Sequence, residues 1–270
     1  ITHWQNSDKN KSISQLFSTL SSLMQPNNPS AEALACALNQ ITFAQYQKFT
    51  QYLFEKVTLE VLIHGNWLIS HANQIVSYIK HAFNQNYRST HAVECPVIDM
   101  KNKQTQVLPL KIPEHDHATV IYYPLANRDH SLVALTMVTS HLLSPLFFQE
   151  MRTEKQYGYL VGVGYVPINR YPGIAFYIQS PHTDAVTLTK AIDDFITESL
   201  SMLDEVGEQN WHHLIHGLAG QLQEKDNNLR IKSQRFWAAI CNKDLLFTHK
   251  EQLVSAILTL KFSQVKSFIN

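Results

Sequence analysis

Residues 144–181 read SPLFFQEMRTEKQYGYLVGVGYVPINRYPGIAFYIQSP. Ser144 is a good helix N-cap, and Pro145 suits the first helical position, where its missing N–H costs nothing. Phe147, Phe148 and Met151 supply an apolar stripe, and Gly158 is the expected helix stop. The period then changes. Tyr159, Val161, Val163 and Tyr165 fall on one face of a strand, with Leu160, Gly162, Gly164 and Val166 on the other. Asn169 to Gly173 is rich in turn formers, and Ile174 to Ser180 reads as a returning strand. Arg152 is thus expected in the last turn of a helix, and Tyr159 at the opening of the following strand.

Upstream of this unit, Gln104 to Ile112 alternates loosely as a strand, which Pro109 would confine to an edge or a bulge. Ala118 to Tyr123 reads as a further strand, and Asp129 can cap a helix from His130 to Leu143. Downstream, helical spacing covers Thr183 to Leu203, Trp211 to Glu224, Asn227 to Asn242, Leu245 to Leu258 and Phe262 to Ile269. Strands, a helix, two strands and then helices predict an α+β roll, an antiparallel-rich sheet with helices packed on one face.

The first 86 residues read as mostly helical. Ile13, Leu16, Phe17, Leu20 and Leu23 mark a helix over Ser12 to Met24, which Gln25 to Pro29 breaks. Ser30 can cap Ala31 to Leu38, and Thr42 can cap Ala44 to Phe54. Val57 to Ile63 is β-branched and apolar. His64-Gly65-Asn66 makes a turn, and Ile69 to Phe83 returns to helical spacing. Asn84 to Ala92 is polar and aperiodic and reads as a linker, with a second domain starting near Glu94. The expected division is therefore 1–86 and 87–270.

With 22 basic and 22 acidic residues the formal charge is zero, so no basic field argues for nucleic acid or an anionic membrane. No apolar run reads as long enough to span a bilayer. Ile1 opens a polar stretch without a signal peptide or an initiating Met, and the chain reads as a piece of something longer. Cys36, Cys95 and Cys241 are an odd, widely spaced set without a CxxC pair. They read as idle or buried thiols rather than a disulfide framework or zinc knot.

The stretch FFQEMRTEKQYGYLVGVGY followed by GIAFYIQS resembles the C-terminal half of the insulinase and pitrilysin (M16) zinc metallopeptidases. Phe147, Phe148, Arg152, Thr153, Gln156, Gly158, Tyr159, Gln179 and Ser180 match that family's pattern, while Met151, Lys155 and Tyr157 depart from it. VLIHGNW resembles the family's strand ending before the last helix of its third domain, and Arg235, Phe236 and Trp237 stand near a further family segment. The resemblance implies that 1–86 is the C-terminal part of a third insulinase-like domain and 87–270 a fourth, α+β domain. It also implies a zinc endopeptidase acting on peptide substrates, with Zn2+ and catalysis in an N-terminal half that would be this chain's partner. Related bacterial enzymes are often periplasmic, so a periplasmic location is expected for a bacterial protein and a cytoplasmic one otherwise.

His-x-x-Glu-His places two imidazoles on one helix face around zinc and leaves a carboxylate to activate water. It is absent here: Lys111 stands where the first His would precede Glu114-His115. His212 and His216 have metal-ligand spacing but no acidic residue between them. His115 and His117 lie in an expected turn, and His64 reads as a turn residue beside a required glycine. Gly162-Val163-Gly164 lies within a strand and lacks the rest of a phosphate loop. No catalytic or metal-binding residue is therefore assigned to this chain.

Two residues remain. On spacing alone, Arg152 is a solvated cation complementing a helix C-terminus and Tyr159 a half-buried strand aromatic. The resemblance implies instead that both reach the substrate backbone near the scissile bond, where Arg offers a charged fork of donors and Tyr a neutral one. A non-catalytic chamber wall of a working peptidase is the expectation. A degenerate homologue that binds a peptide or scaffolds a partner without hydrolysis is the alternative.

Overall fold

A computed structural model describes residues 11–53, 59–83, 96–100, 104–112, 115–204 and 207–269. The helices are α1 (Ser12–Met24), α2 (Ala31–Gln40), α3 (Phe43–Tyr52), α4 (Ile69–Ala82), α5 (His130–Phe148), α6 (Ala185–Asp204), α7 (Glu208–Gln223), α8 (Leu229–Cys241), α9 (His249–Thr259) and α10 (Phe262–Ile269). The strands are β1 (His117–Pro124), β2 (Leu160–Tyr165) and β3 (Gly173–Ser180). By contacts the chain divides into a unit of 1–35, 95–224 and 249–270 and a unit of 36–94 and 225–248.

In the first unit the three strands form an antiparallel sheet in the order β1-β3-β2, with His117 opposite Ser180 and Leu160 opposite Gln179. β2 and β3 are a hairpin. Asn169 and Arg170 both take positive φ, +45° and +71°, while Ile168 and Tyr171 exchange backbone hydrogen bonds of 3.0 Å. Two consecutive left-handed residues match the right-handed twist of paired strands.

Alternation along β3 sends its side chains to opposite faces. On one face Phe176 meets Phe147 of α5 edge-on at 5.6 Å, and Phe147 meets Phe195 of α6 at 5.0 Å. Phe147 and Phe195 are fully buried, each stabilising the fold by about 1.5–3 kcal/mol through lost apolar exposure. On the other face Tyr177 meets Phe17 of α1 edge-on at 5.6 Å, and the Ile13 N–H donates to the side-chain oxygen of Gln179. Helices therefore lie against both faces, not one, because the apolar stripe of α1 also packs on the sheet. The α+β class holds: a small antiparallel sheet set among helices.

The stretch around Ser144 differs from its expected form. α5 runs without a break through Ser144 and Pro145 to Phe148 and continues as a π-helical turn over Gln149–Glu154. Local capping chemistry yields here to burial, since Leu142, Leu143, Phe147 and Met151 all enter one core. The joined helix, His130–Glu154, is consequently long and apolar enough by length and composition to cross a membrane, which the sequence segments taken separately are not. Half of its most apolar window is buried within the unit.

Gln104 to Ile112 forms no strand; Pro109 cannot donate to a ladder. Of Val57 to Ile63, the described residues 59–63 form no strand either, and residues 57 and 58 lie outside the described residues, as do Asn84 to Ala92, Glu94 and Cys95. Cys36 and Cys241 are free and exposed.

In the second unit, Thr42 and Gln45 form a reciprocal capping box at the start of α3. Gly65 takes φ +132°, a region closed to most side chains. Beside it, a His64 ring nitrogen lies 2.7 Å from the Ser233 hydroxyl, and the ring packs edge-on against Phe236 at 4.9 Å. His64 is thus the turn residue the sequence suggested. Asn228 caps α8 by accepting the Ile231 N–H, and Arg235 forks onto Asp226 at 2.8–3.1 Å.

Candidate functional site

The site begins where α5 widens. In the turn Gln149–Glu154 the Lys155 N–H donates to the Glu150 carbonyl and the Tyr157 N–H to the Met151 carbonyl, steps longer than the α-helical one. Glu150 and Met151 turn inward. The wider turn also brings positions five apart together, and Lys155 pairs with the Glu150 carboxylate, a bond that raises the lysine's pKa. Arg152 is left facing outward. Its guanidinium carbon sits 5.1 Å from the centre of the Phe148 ring, a cation–π contact, and it has no ion-pair partner among the described residues.

Gln156, at φ +51°, ends the turn, a task the sequence assigns to Gly158. Gly158 has another duty. A β-carbon there would lie 2.2 Å from the backbone oxygen of Gln179, so only glycine lets the chain approach β3 this closely. The next residue joins the ladder, with the Tyr159 N–H donating to the same Gln179 oxygen at 3.2 Å. Gly158 therefore delivers Tyr159 to the sheet edge.

Tyr159 is 43% exposed, and its hydroxyl enters a hydrogen-bond network. The hydroxyl donates to Asp116 Oδ2 at 2.6 Å. Gln179 Nε2 donates to the same Oδ2 at 2.9 Å and to the Tyr159 hydroxyl oxygen at 2.7 Å. Gln179 is fully buried, and its Oε1 accepts the Ile13 N–H at 3.2 Å. The backbone carbonyl of Asp116 accepts the Ser12 hydroxyl at 2.9 Å. The Tyr159 and Gln179 bonds, in that order, hold the Asp116 carboxyl below its ordinary pKa, aided by His115 and His117 on either side. Asp116 is thus an anion at neutral pH.

Ser180, also buried, accepts the His182 and Thr183 N–H groups and shapes the turn into α6. The Gln-Ser pair thus has two separate structural tasks. Asp116 is the residue that the sequence reading passed over. The sequence carries it as His115-Asp116-His117 at the start of β1, where nothing local distinguishes the carboxylate from the two histidines beside it.

The remaining candidates do not assemble into a centre. His115 and His117 are exposed. His212 and His216 are exposed on α7 with ring centroids 6.4 Å apart. Among the described residues no three His, Cys, Asp or Glu side chains come together as a metal would require. None of these histidines, among the described residues, belongs to a set that fits a zinc ion.

Residues 138–237 match the family described as PQQ synthase PqqF-like, C-terminal lobe domain 4. A nardilysin-like protein of Arabidopsis thaliana is 25% identical over 224 residues, covering 79% of this chain and 22% of that protein. Human insulin-degrading enzyme is 22% identical over 241 residues, covering 86% of this chain and 23% of that protein. The crystal structure of pitrilysin superposes with a TM-score of 0.89 at 17% identity, covering 99% of this chain and 28% of that one. The chain thus spans about a quarter of the length of these relatives.

Proposed function

This chain belongs with the C-terminal half of the insulinase and pitrilysin (M16) peptidases, and from that premise we propose that it forms the non-catalytic wall of a peptidase chamber, with Arg152 and Tyr159 contacting the substrate backbone. Residues 1–86 would end a third homologous domain and 87–270 would form the fourth. A partner N-terminal half of the same protein would hold Zn2+ and supply the activated water.

The observation that carries the reading is the shape of the link between the two residues. A widened turn leaves Arg152 outward with its donors unengaged by any carboxylate among the described residues, and a glycine forced against β3 fixes Tyr159 at the sheet edge. Arg brings a planar, permanently charged fork suited to a backbone carbonyl. This arrangement suits binding and orienting a peptide, not cleaving it alone.

The test is reconstitution. The chain is mixed with its purified N-terminal half and assayed on a quenched fluorescent peptide, with and without a chelator. Cleavage that needs both pieces and is lost on chelation is the expected result. Intact association and bound zinc without cleavage would overturn it in favour of a peptide-binding or scaffolding module.

A further inference from the structure

The contacts around the Tyr159 hydroxyl define which way each proton points. The Ile13 N–H can only donate, so the Gln179 oxygen must face it and the Gln179 amide nitrogen must face Asp116 and Tyr159. Gln179 is fully buried and spends both amide protons there. An ionised Asp116 can only accept. The 2.6 Å contact is therefore Tyr159 donating its one hydroxyl proton to the carboxylate.

We propose that Asp116 is a positioning residue for Tyr159: its carboxylate holds the tyrosine's hydroxyl proton and so reserves that donor for a substrate oxygen that has become negatively charged. The inference rests on the reading of Tyr159 as a substrate-contacting residue. A hydrogen bond to a carboxylate is roughly twice as strong as one to a neutral acceptor. Giving up Asp116 for a neutral peptide carbonyl therefore gains nothing, and the substrate in its ground state leaves the Tyr159–Asp116 bond in place. A tetrahedral oxyanion offers a charged acceptor inside the water-excluded chamber, while the released Asp116 carboxylate, at a partly exposed position, regains water, so there the exchange is favourable. Tyr159 can then turn to it at little cost, and an interaction made only at that stage raises turnover rather than substrate affinity. Asp116 is well placed for this because it is anchored on both sides, by Ser12 through its carbonyl and by Gln179 through its carboxylate. The titratable groups flanking it are His115 and His117, both exposed.

The test uses the full-length protein and steady-state hydrolysis of a quenched fluorescent peptide. Asp116→Asn keeps the side-chain shape and replaces the carboxylate with a weaker, neutral acceptor. Tyr159 then becomes available to the ground-state carbonyl, and KM is expected to fall roughly three- to tenfold while kcat stays within about twofold. Asp116→Ser, too short to reach Tyr159, is expected to give the same fall and serves if the first variant folds poorly. In Asp116→Asn/Tyr159→Phe the fall should vanish, leaving the values of Tyr159→Phe alone. A raised or unchanged KM in both Asp116 variants, with Tyr159→Phe impaired, overturns this inference and leaves the substrate-contact reading standing. So does a fall in KM that survives removal of the Tyr159 hydroxyl. Wild-type kinetics in Tyr159→Phe would instead remove the substrate-contact reading, and this inference with it.

Discussion

Gly158 and Gln179 approach so closely that a β-carbon on the glycine would sit 2.2 Å from the glutamine's backbone oxygen. That oxygen also accepts the Tyr159 N–H, so the same contact both excludes a side chain at 158 and aims the residue after it. Gly158→Ala must push β3 backbone away, and overpacking against backbone typically costs about 1–3 kcal/mol. A fall in the denaturation midpoint is expected, together with loss of whatever activity depends on Tyr159. An unchanged midpoint would show that the approach is looser than described.

Arg152→Ala and Tyr159→Phe test the substrate contact. Arg152 is exposed, so Arg152→Ala should change thermal stability little, whereas Tyr159→Phe also removes the hydroxyl's bonds to ionised Asp116 and buried Gln179 and should cost about 1.5–3 kcal/mol. In the full-length protein, if it hydrolyses peptides as proposed, each is expected to lower turnover, by on the order of 100-fold if the lost donor faces the oxyanion. Zinc content, measured by metal analysis, should stay the same because no ligand is removed. Normal turnover in both variants would end their assigned role.

Asp116 couples the same network to pH. Its folded-state pKa is depressed below 3.8, mainly by the Tyr159 bond and then by Gln179. A depressed carboxylate binds fewer protons folded than unfolded, so its contribution is present above the unfolded pKa and fades as pH falls through the folded one. The stability difference between wild type and Asp116→Asn should therefore hold at neutral pH and shrink below 3.8. Urea midpoints across that range measure it, and a constant difference would contradict the linkage.

Phe147→Ala tests the sheet's other face. Phe147 is fully buried between Phe176 and Phe195. Removing the ring should cost about 3–5 kcal/mol, the range for buried aromatic truncation. Calorimetry should show a large loss; a loss under about 1 kcal/mol would mean the core collapses around the gap.

Much of this was readable in the sequence where one local signal governed. α1 and α10 have the limits their apolar spacing predicts, and β1 to β3 fall within a residue or two of the alternating segments. The Thr42 cap also formed as its residue types suggest. Ser144 and Pro145 misled because a good start signal sits inside a stretch whose burial favours one unbroken helix. The hairpin turn falls within the Asn169 to Gly173 stretch that the sequence marks, but its left-handed positions are two non-glycine residues, Asn169 and Arg170. Arg152 and Tyr159 stand out in the sequence as candidates by pattern. Asp116 does not, because its meaning depends on Tyr159 and Gln179, which meet it only once three separate segments have come together.

The sheet's strand order has a consequence for how the chain assembles. β3 is the central strand and the last of the three to be synthesised. β2 and β3 are joined by a tight turn and can zip together locally, whereas β1 has no neighbour until its partner, ending at Ser180, has left the ribosome. The entropy of closing the long α5-containing loop is lost only at that second step, which should make β1 docking the slow event. The Asp116–Tyr159–Gln179 network draws on that step, on the hairpin and on α1 at once. It would be among the last features of the protein to mature and among the first to report a folding defect.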